Sequence, residues 1–333
     1  MEGLADVHLR RLITAQGGFD WVVSEFLRVV DRLYPPSVFY KLCPELLHQG
    51  RTESGTPVRV QLLGSDPAAM AANALRAVEL GSYGVDINFG CPSRTVNRRQ
   101  GGAVMLREPE SLYRVVQAVR AAVPKDVVVS AKMRLGYEDT SLMLDNAAAV
   151  ETAGASELTV HARTRVQGYA PPAHWEALGE IRRHIRIPLI ANGDVCSVAD
   201  YRRCAEIAGT PDVMLGRGAV RWPFLARQIR SGQSAMPTWS GMTPLLQRFW
   251  FDVNARRLHK DPVGRMKQWI NYLRQGYPEA EELWSLVRLE KSVEGLNALL
   301  LANMGLQNKR RSELELEPGS NRHFVAGTAG VCE

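Results

Sequence analysis

Cys91 follows Gly90 and precedes Pro92 at the end of an apolar run, residues 84–89. That order reads as a buried strand delivering a thiol onto a tight loop. Glycine admits backbone angles that other residues avoid, and proline fixes its own φ and stops further ladder pairing. In a barrel of alternating strands and helices, chemistry sits at the C-terminal ends of the strands, which makes Cys91 a candidate working residue. A lone cysteine is otherwise a small buried hydrophobe. Polar residues close other short apolar runs as well: Gln61, Lys132, Arg134, His161, Asn192-Gly193-Asp194 and Gly216-Arg217-Gly218. Two glycine-bearing loops at consecutive strand ends suit a phosphate, held by backbone N–H groups and Arg217, with an ordinary turn as the alternative. For Lys132 the alternative is a surface cation, for His161 a satisfied core histidine, and for Gln61 a hydrogen bond between loops.

The elements that must position these residues alternate along the chain. Strand patterns cover residues 21–23, 58–63, 84–89, 127–133, 157–161, 187–192 and 212–215. Helical periodicity covers 67–80, 108–123, 141–153, 175–183 and 197–208. Pro67 after Ser65-Asp66, and Asp200 after Ser197, signal helix starts, while Gly81 and Gly154 signal helix ends. Strict alternation predicts an α/β fold with a parallel sheet, here a (β/α)8 TIM barrel lacking one strand. A helical pattern at 6–15 opens the chain with no strand before it, so the barrel is expected to leave two unpaired edges. Residues 231–244, rich in Ser, Gly, Pro and Thr, read as a linker. From 245 to 306 the pattern is helical without strands, as in an antiparallel bundle. From 307 onward the low apolar content reads as a disordered tail. The expected organisation is a catalytic barrel at 1–233, an all-α domain at 242–306 and a tail at 307–333.

The 333 residues, 45% hydrophobic, suffice for a full core and a smaller second unit. Five scattered cysteines form no CxxC pair, which argues against structural zinc and a disulfide framework and for a reducing cytoplasm. A secretory leader pattern and a membrane-spanning apolar segment are both absent from the sequence. The net charge is +6, and residues 242–311 hold twelve Lys/Arg against seven Asp/Glu, five of those six charges. A near-neutral body with a basic C-terminal part suggests a binding module joined to a catalytic one, and admits a polyanionic partner; a solvated helical surface is the alternative.

Taken in order, Val60-Gln61-Leu62, Asn88-Phe89-Gly90-Cys91-Pro92, Lys132-Met133-Arg134, Val160-His161-Ala162-Arg163-Thr164, Ile190-Ala191-Asn192-Gly193 and Gly216-Arg217-Gly218 resemble the tRNA-dihydrouridine synthases. These are flavin (FMN) enzymes that reduce selected tRNA uridines with NADPH. The resemblance runs over residues 1–306. Residues 25–31 and Arg265-Met266-Lys267-Gln268-Trp269-Ile270 resemble the bacterial subgroup acting on position 16 of the D-loop. The family has a first strand ending in Ala-Pro-Met, and Met1 aligns with that methionine, which implies a misassigned start.

The resemblance implies roles. Reduction of the uracil C5–C6 bond needs a hydride at C6 and a proton at C5, and Cys91 is implied as the acid. An ordinary thiol, with pKa about 8.5, is protonated at neutral pH. Lys132 is implied to stabilise charge at the flavin N1–C2=O edge, with Gln61 and His161 bonding the ring. Asn192, Gly193, Asp194, Gly216 and Arg217 are implied to bind the FMN phosphate, and Met1 and Glu2 to contact the flavin. The glycine spacing does not match the dinucleotide fingerprint, so a mononucleotide is expected. Asn88 and Tyr169 are implied to hold an extruded base, and Arg28, Arg265, Lys267 and Tyr272 to orient the tRNA. Asn88 has a second reading, as a brace for the Cys91 loop. Arg94, Arg98 and Arg99 meet phosphate or line a solvated loop. No metal, membrane or obligate protein partner is implied. Two other readings remain: a flavin barrel acting on a small molecule, and a non-catalytic tRNA binder.

Overall fold

The computed structural model describes residues 3–233, 237–255 and 261–303. The expected flavin contacts Met1 and Glu2 and the expected tail at 307–333 lie outside the described residues.

Seven strands form one all-parallel sheet in the order β1 to β7. They are β1 (Val22–Arg28), β2 (Val58–Leu63), β3 (Gly84–Asn88), β4 (Val128–Arg134), β5 (Glu157–His161), β6 (Leu189–Asn192) and β7 (Val213–Met214). The helices are α1 (Val7–Thr14), α2 (Pro36–Leu42), α3 (Pro67–Glu79), α4 (Arg94–Asn97), α5 (Pro109–Ala122), α6 (Met143–Thr152), α7 (Trp175–His184), α8 (Val198–Ala208), α9 (Arg217–Arg221), α10 (Leu225–Ser231), α11 (Trp239–Ala255), α12 (Pro262–Leu273), α13 (Pro278–Val287) and α14 (Val293–Asn303). Among the described residues β1 pairs only with β2, and β7 only with β6. Sequential order in an all-parallel sheet requires a helix-bearing crossover after each strand, and those crossovers cover one face.

Local chemistry explains the boundaries. Asp66 caps α3 by accepting the Ala69 N–H at 2.7 Å, with Pro67 in the first turn. Ser197 accepts the Asp200 N–H at 3.0 Å, and Asp200 reaches back to the Cys196 N–H at 3.2 Å, so α8 has reciprocal caps at its start. β1 is longer than the expected 21–23. Its register with β2 breaks between Val23 and Phe26, and there the Ser24 hydroxyl accepts the Gln61 N–H at 3.1 Å, replacing the lost ladder bond.

The expected linker at 231–244 is shorter than the sequence suggested, because α11 already begins at Trp239. Pro244 inside that helix cannot donate to the Ser240 carbonyl, and the Thr243 hydroxyl bonds that oxygen at 3.0 Å instead.

Two apolar cores result. One lies between the sheet and helices α2, α3 and α5 to α8. The other joins α11 to α14 and also takes in Leu9, Leu12 and Ile13 of α1 and Val220 of α9. Among the described residues no helix is long and apolar enough to cross a membrane.

Candidate functional site

Strand register stacks the polar residues in tiers. Gln61, Asp86, Ser130 and Glu157 are level across β2 to β5. Above them stand Asn88, Lys132, Thr159 and Ile190, and then Arg134, His161, Asn192 and Met214. Near the strand starts, Arg59 pairs with Glu157 across the interior and lies 3.7 Å from the Trp21 ring centroid. The C-terminal end carries Asn88, Lys132, Arg134, His161 and Asn192.

Asp86 is fully buried in β3. Its carboxylate accepts from Gln61 Nε2 at 2.7 Å and from Ser130 Oγ at 2.7 Å. Burial pushes its pKa up, opposed by those two donors. Gln61 Oε1 accepts from Asn88 Nδ2 at 2.8 Å, and Asn88 Oδ1 accepts the Gly90 N–H at 2.9 Å. Asn88 therefore does brace the Cys91 loop.

Cys91 is half-buried and in no disulfide. Its carbonyl accepts from Asn97 Nδ2 at 2.9 Å and from the Ala103 N–H at 3.1 Å. A Cβ on Gly102 would lie 2.9 Å from the Cys91 oxygen, and Gly102 has φ +69°, so only glycine lets this loop close on the cysteine. From the other side Arg134 Nε holds the Gly90 carbonyl at 2.8 Å, while its Nη1 holds the carbonyls of Thr164 and Gly168. One guanidinium thus ties the thiol loop to the loop after β5.

Burial, reinforced by the Arg134 charge, lowers the Lys132 pKa to about 8, with Asp86 opposing. Its amine makes no hydrogen bond or ion pair among the described residues. Its neighbour in register, Thr159, has a buried hydroxyl without a hydrogen-bond partner. His161 is buried, and burial together with Lys132, Arg134, Arg163 and Arg217 drives its pKa down to about 2. It is a neutral imidazole at physiological pH.

The loops after β6 and β7 are drawn together by charge. Arg163, fully buried, pairs with Asp194 and donates to the Ala170 carbonyl at 2.7 Å. Asp194, at φ +54°, also faces Arg217 at 3.6 Å. Gly193 has φ +128°, and a Cβ there would press on His161. A Cβ on Gly216 would meet nothing within 4 Å, so its backbone is open to close approach. Asn192 Nδ2 spends a donor on the Met214 carbonyl at 2.8 Å, joining β6 to β7.

Tyr169 is 54% exposed, with the guanidinium carbons of Arg134 and Arg217 at 5.1 and 5.0 Å from its ring centroid and the His161 ring at 5.9 Å. Arg28 ends β1 and donates to the Thr95 carbonyl at 3.0 Å, beside the exposed Arg94, Arg98 and Arg99. Arg265 is internally engaged: it donates to Asp6 at 2.8 and 3.0 Å and to the Leu4 carbonyl at 3.1 Å. Lys267 donates to the Glu290 carbonyl at 3.0 Å, and Tyr272 packs partly buried on the second core.

Residues 1–292 match the family model described as dihydrouridine synthase (Dus). The chain belongs to that family. The tRNA-dihydrouridine(16) synthase of Pseudomonas syringae pv. tomato is 48% identical over 304 residues, 90% of this chain and 96% of the relative. That of Haemophilus influenzae is 44% identical over 301 residues, 90% and 97%. Among solved structures, the 2-naphthoyl-CoA reductase complex has a TM-score of 0.54 at 13% identity, covering 69% of this chain and 47% of that one. Histamine dehydrogenase from Rhizobium sp. 4-9 has 0.53 at 13%, covering 92% and 61%. At that identity the likeness is one of fold.

In this dihydrouridine synthase family member, sequence reading overlooked Asp86, Ser130 and the anchoring role of Arg163. Asp86 had a visible signal, a lone carboxylate inside an apolar strand, where an unpartnered charge is costly.

Proposed function

We propose that this chain reduces uridine 16 of tRNA to 5,6-dihydrouridine, with bound FMN and NADPH as reductant. One observation carries the reading: the Cys91 loop, the Lys132 amine and the two glycine loops meet at one end of the sheet, in a chain 44–48% identical to proteins named for that activity.

The residues suit a flavin mononucleotide. Gly193, the open backbone of Gly216 and Arg217 suit its phosphate, with Asn192 and Asp194 shaping that loop. Gln61, Lys132, neutral His161 and the unpartnered Thr159 hydroxyl suit the polar edge of its ring. When bound, a flavin here would supply the hydride chemistry needed at C6. Cys91 then gives the proton at C5, a transfer worth about 10²–10⁴ in rate. Lys132, as a cation, offsets negative charge at the ring edge.

A base in folded tRNA must turn out of its stack to reach the thiol. Asn88 and Tyr169 flank that entry, and Arg28, Arg265, Lys267 and Tyr272 orient the tRNA. We read residues 1–233 as a (β/α)8 barrel short of its first strand, and 242–306 as the tRNA-binding domain, its helices packed against α1 and α9. These assignments rest on the sequential strand order and the charge of the C-terminal part.

Dihydrouridine mapping in tRNA from a deletion strain tests the function. The expected result is loss of dihydrouridine at position 16 and its return with this chain. Complementation at another position, or none, contradicts it.

A further inference from the structure

Three hydrogen bonds run from the thiol loop to the middle of the sheet and all donate toward Asp86, which a fourth meets from the far side. The Gly90 N–H donates to Asn88 Oδ1, Asn88 Nδ2 to Gln61 Oε1, Gln61 Nε2 to Asp86 Oδ2, and Ser130 Oγ meets Asp86 Oδ1 from the far side. A backbone N–H can only donate, and the carboxylate oxygens at the other end face two donors. The two ends therefore fix which way both amides point. Asp86 and Gln61 are 0% and 3% exposed, so water does not compete for the two bonds on the Asp86 carboxylate.

We propose that Asp86 is a positioning residue for the reaction: it fixes the Gln61 and Asn88 amides, and through Asn88 the backbone immediately ahead of Cys91. This rests on the reading of Cys91 as the proton donor. Asp86 touches no reacting atom. It acts at the entry to a loop whose exit is held separately, by Asn97 and Ala103 on the Cys91 carbonyl. Losing the chain frees one end of the loop while the other stays tied. The same carboxylate supplies negative charge toward Lys132, countering its burial and the repulsion from Arg134.

Alkylation of Cys91 by iodoacetamide, followed on its peptide by mass spectrometry, reads the loop directly. It is compared in wild type, Asp86→Asn, Asp86→Ala and Asn88→Ala, alongside kcat and KM for tRNA. Asp86→Asn keeps an oxygen for Gln61 and alkylates at the wild-type rate. Asp86→Ala raises the rate about fivefold, the weight of one hydrogen bond, and lowers kcat by a similar factor with KM for tRNA unchanged. Asn88→Ala cuts the chain at a partly exposed side chain and gives the same rise in alkylation. An unchanged alkylation rate in folded Asp86→Ala overturns the proposal, as does an unchanged rate in Asn88→Ala should Asp86→Ala fail to fold. The alkylation needs no tRNA. A wild-type protein that makes no dihydrouridine therefore defeats the proposed function while the Asp86 test stays readable.

Discussion

Asn88 and Lys132 are register partners across β3 and β4, so the loop bearing Cys91 leaves the sheet level with a partly buried amine. Burial is the largest influence on that amine, and it sets the sign of a stability effect. Lys132 titrates at about 8 in the folded protein against 10.5 ordinarily. Between those values the unfolded chain holds more protons, so stability rises with pH across that window, and below it the cost of burying the cation is fully present. That cost is up to about 3 kcal/mol. Lys132→Met should therefore melt higher than wild type at pH 7 without added cofactor, with the gain fading from pH 8 and gone near 10.5. A lower melting temperature at pH 7 contradicts a costly buried cation.

His161 shifts in the same direction, at a lower pH. Its folded pKa of about 2 lies below the ordinary 6.5, so the stability it contributes is complete above pH 6.5 and is lost as pH falls toward 2. Imidazole resonances assigned by His161→Gln should stay at their neutral positions between pH 5 and 8. A His161 titration near 6.5 contradicts its enclosure by four cations.

Arg163 and Asp194 tie the loop after β5 to the loop after β6. Arg163 is buried, but Asp194 is partly exposed and keeps Arg217, so removing Arg163 costs mainly its bonds to Asp194 and the Ala170 carbonyl, about 1–3 kcal/mol. Arg163→Ala should lower the urea midpoint accordingly. Arg163→Lys should restore only part of it, because one amine cannot reach both Asp194 and the Ala170 carbonyl. A loss under about 1 kcal/mol is the surface-pair value and would show that the bridge is solvated.

Arg265 was expected at the tRNA, and its guanidinium is bonded to the Asp6 cap of α1. If Arg265 reaches tRNA through that clamp, Asp6→Asn should weaken tRNA binding about as much as Arg265→Ala, and both should lower the melting temperature. Filter binding across a salt series checks this, since lost phosphate contacts flatten the salt slope whereas a lost clamp does not. Wild-type tRNA affinity in Asp6→Asn argues for a direct contact independent of α1.

The βα order was legible because β-branched runs end at Gly, Pro or a polar residue, as at Phe89-Gly90 and Asn192-Gly193. The site was legible where residue type and strand end coincide, at Cys91, Lys132 and His161. What escaped depends on partners distant in sequence. Nothing near Arg265 announces Asp6, and nothing near Asp86 announces Gln61 or Ser130. The length of β1 escaped because Ser24, Glu25 and Arg28 interrupt the apolar run, although Ser24 is buried against β2. The start of α11 escaped because Pro244 reads as a breaker, while Thr243 supplies the missing bond.

The role of Cys91 is tested most directly by single-turnover reduction of unmodified tRNA, with dihydrouridine counted after mixing with NADPH-reduced protein. Wild type should convert its uridine, and Cys91→Ala should retain flavin and tRNA binding but convert about 10²–10⁴ times more slowly. Equal rates for the two proteins would contradict a proton delivered by that thiol.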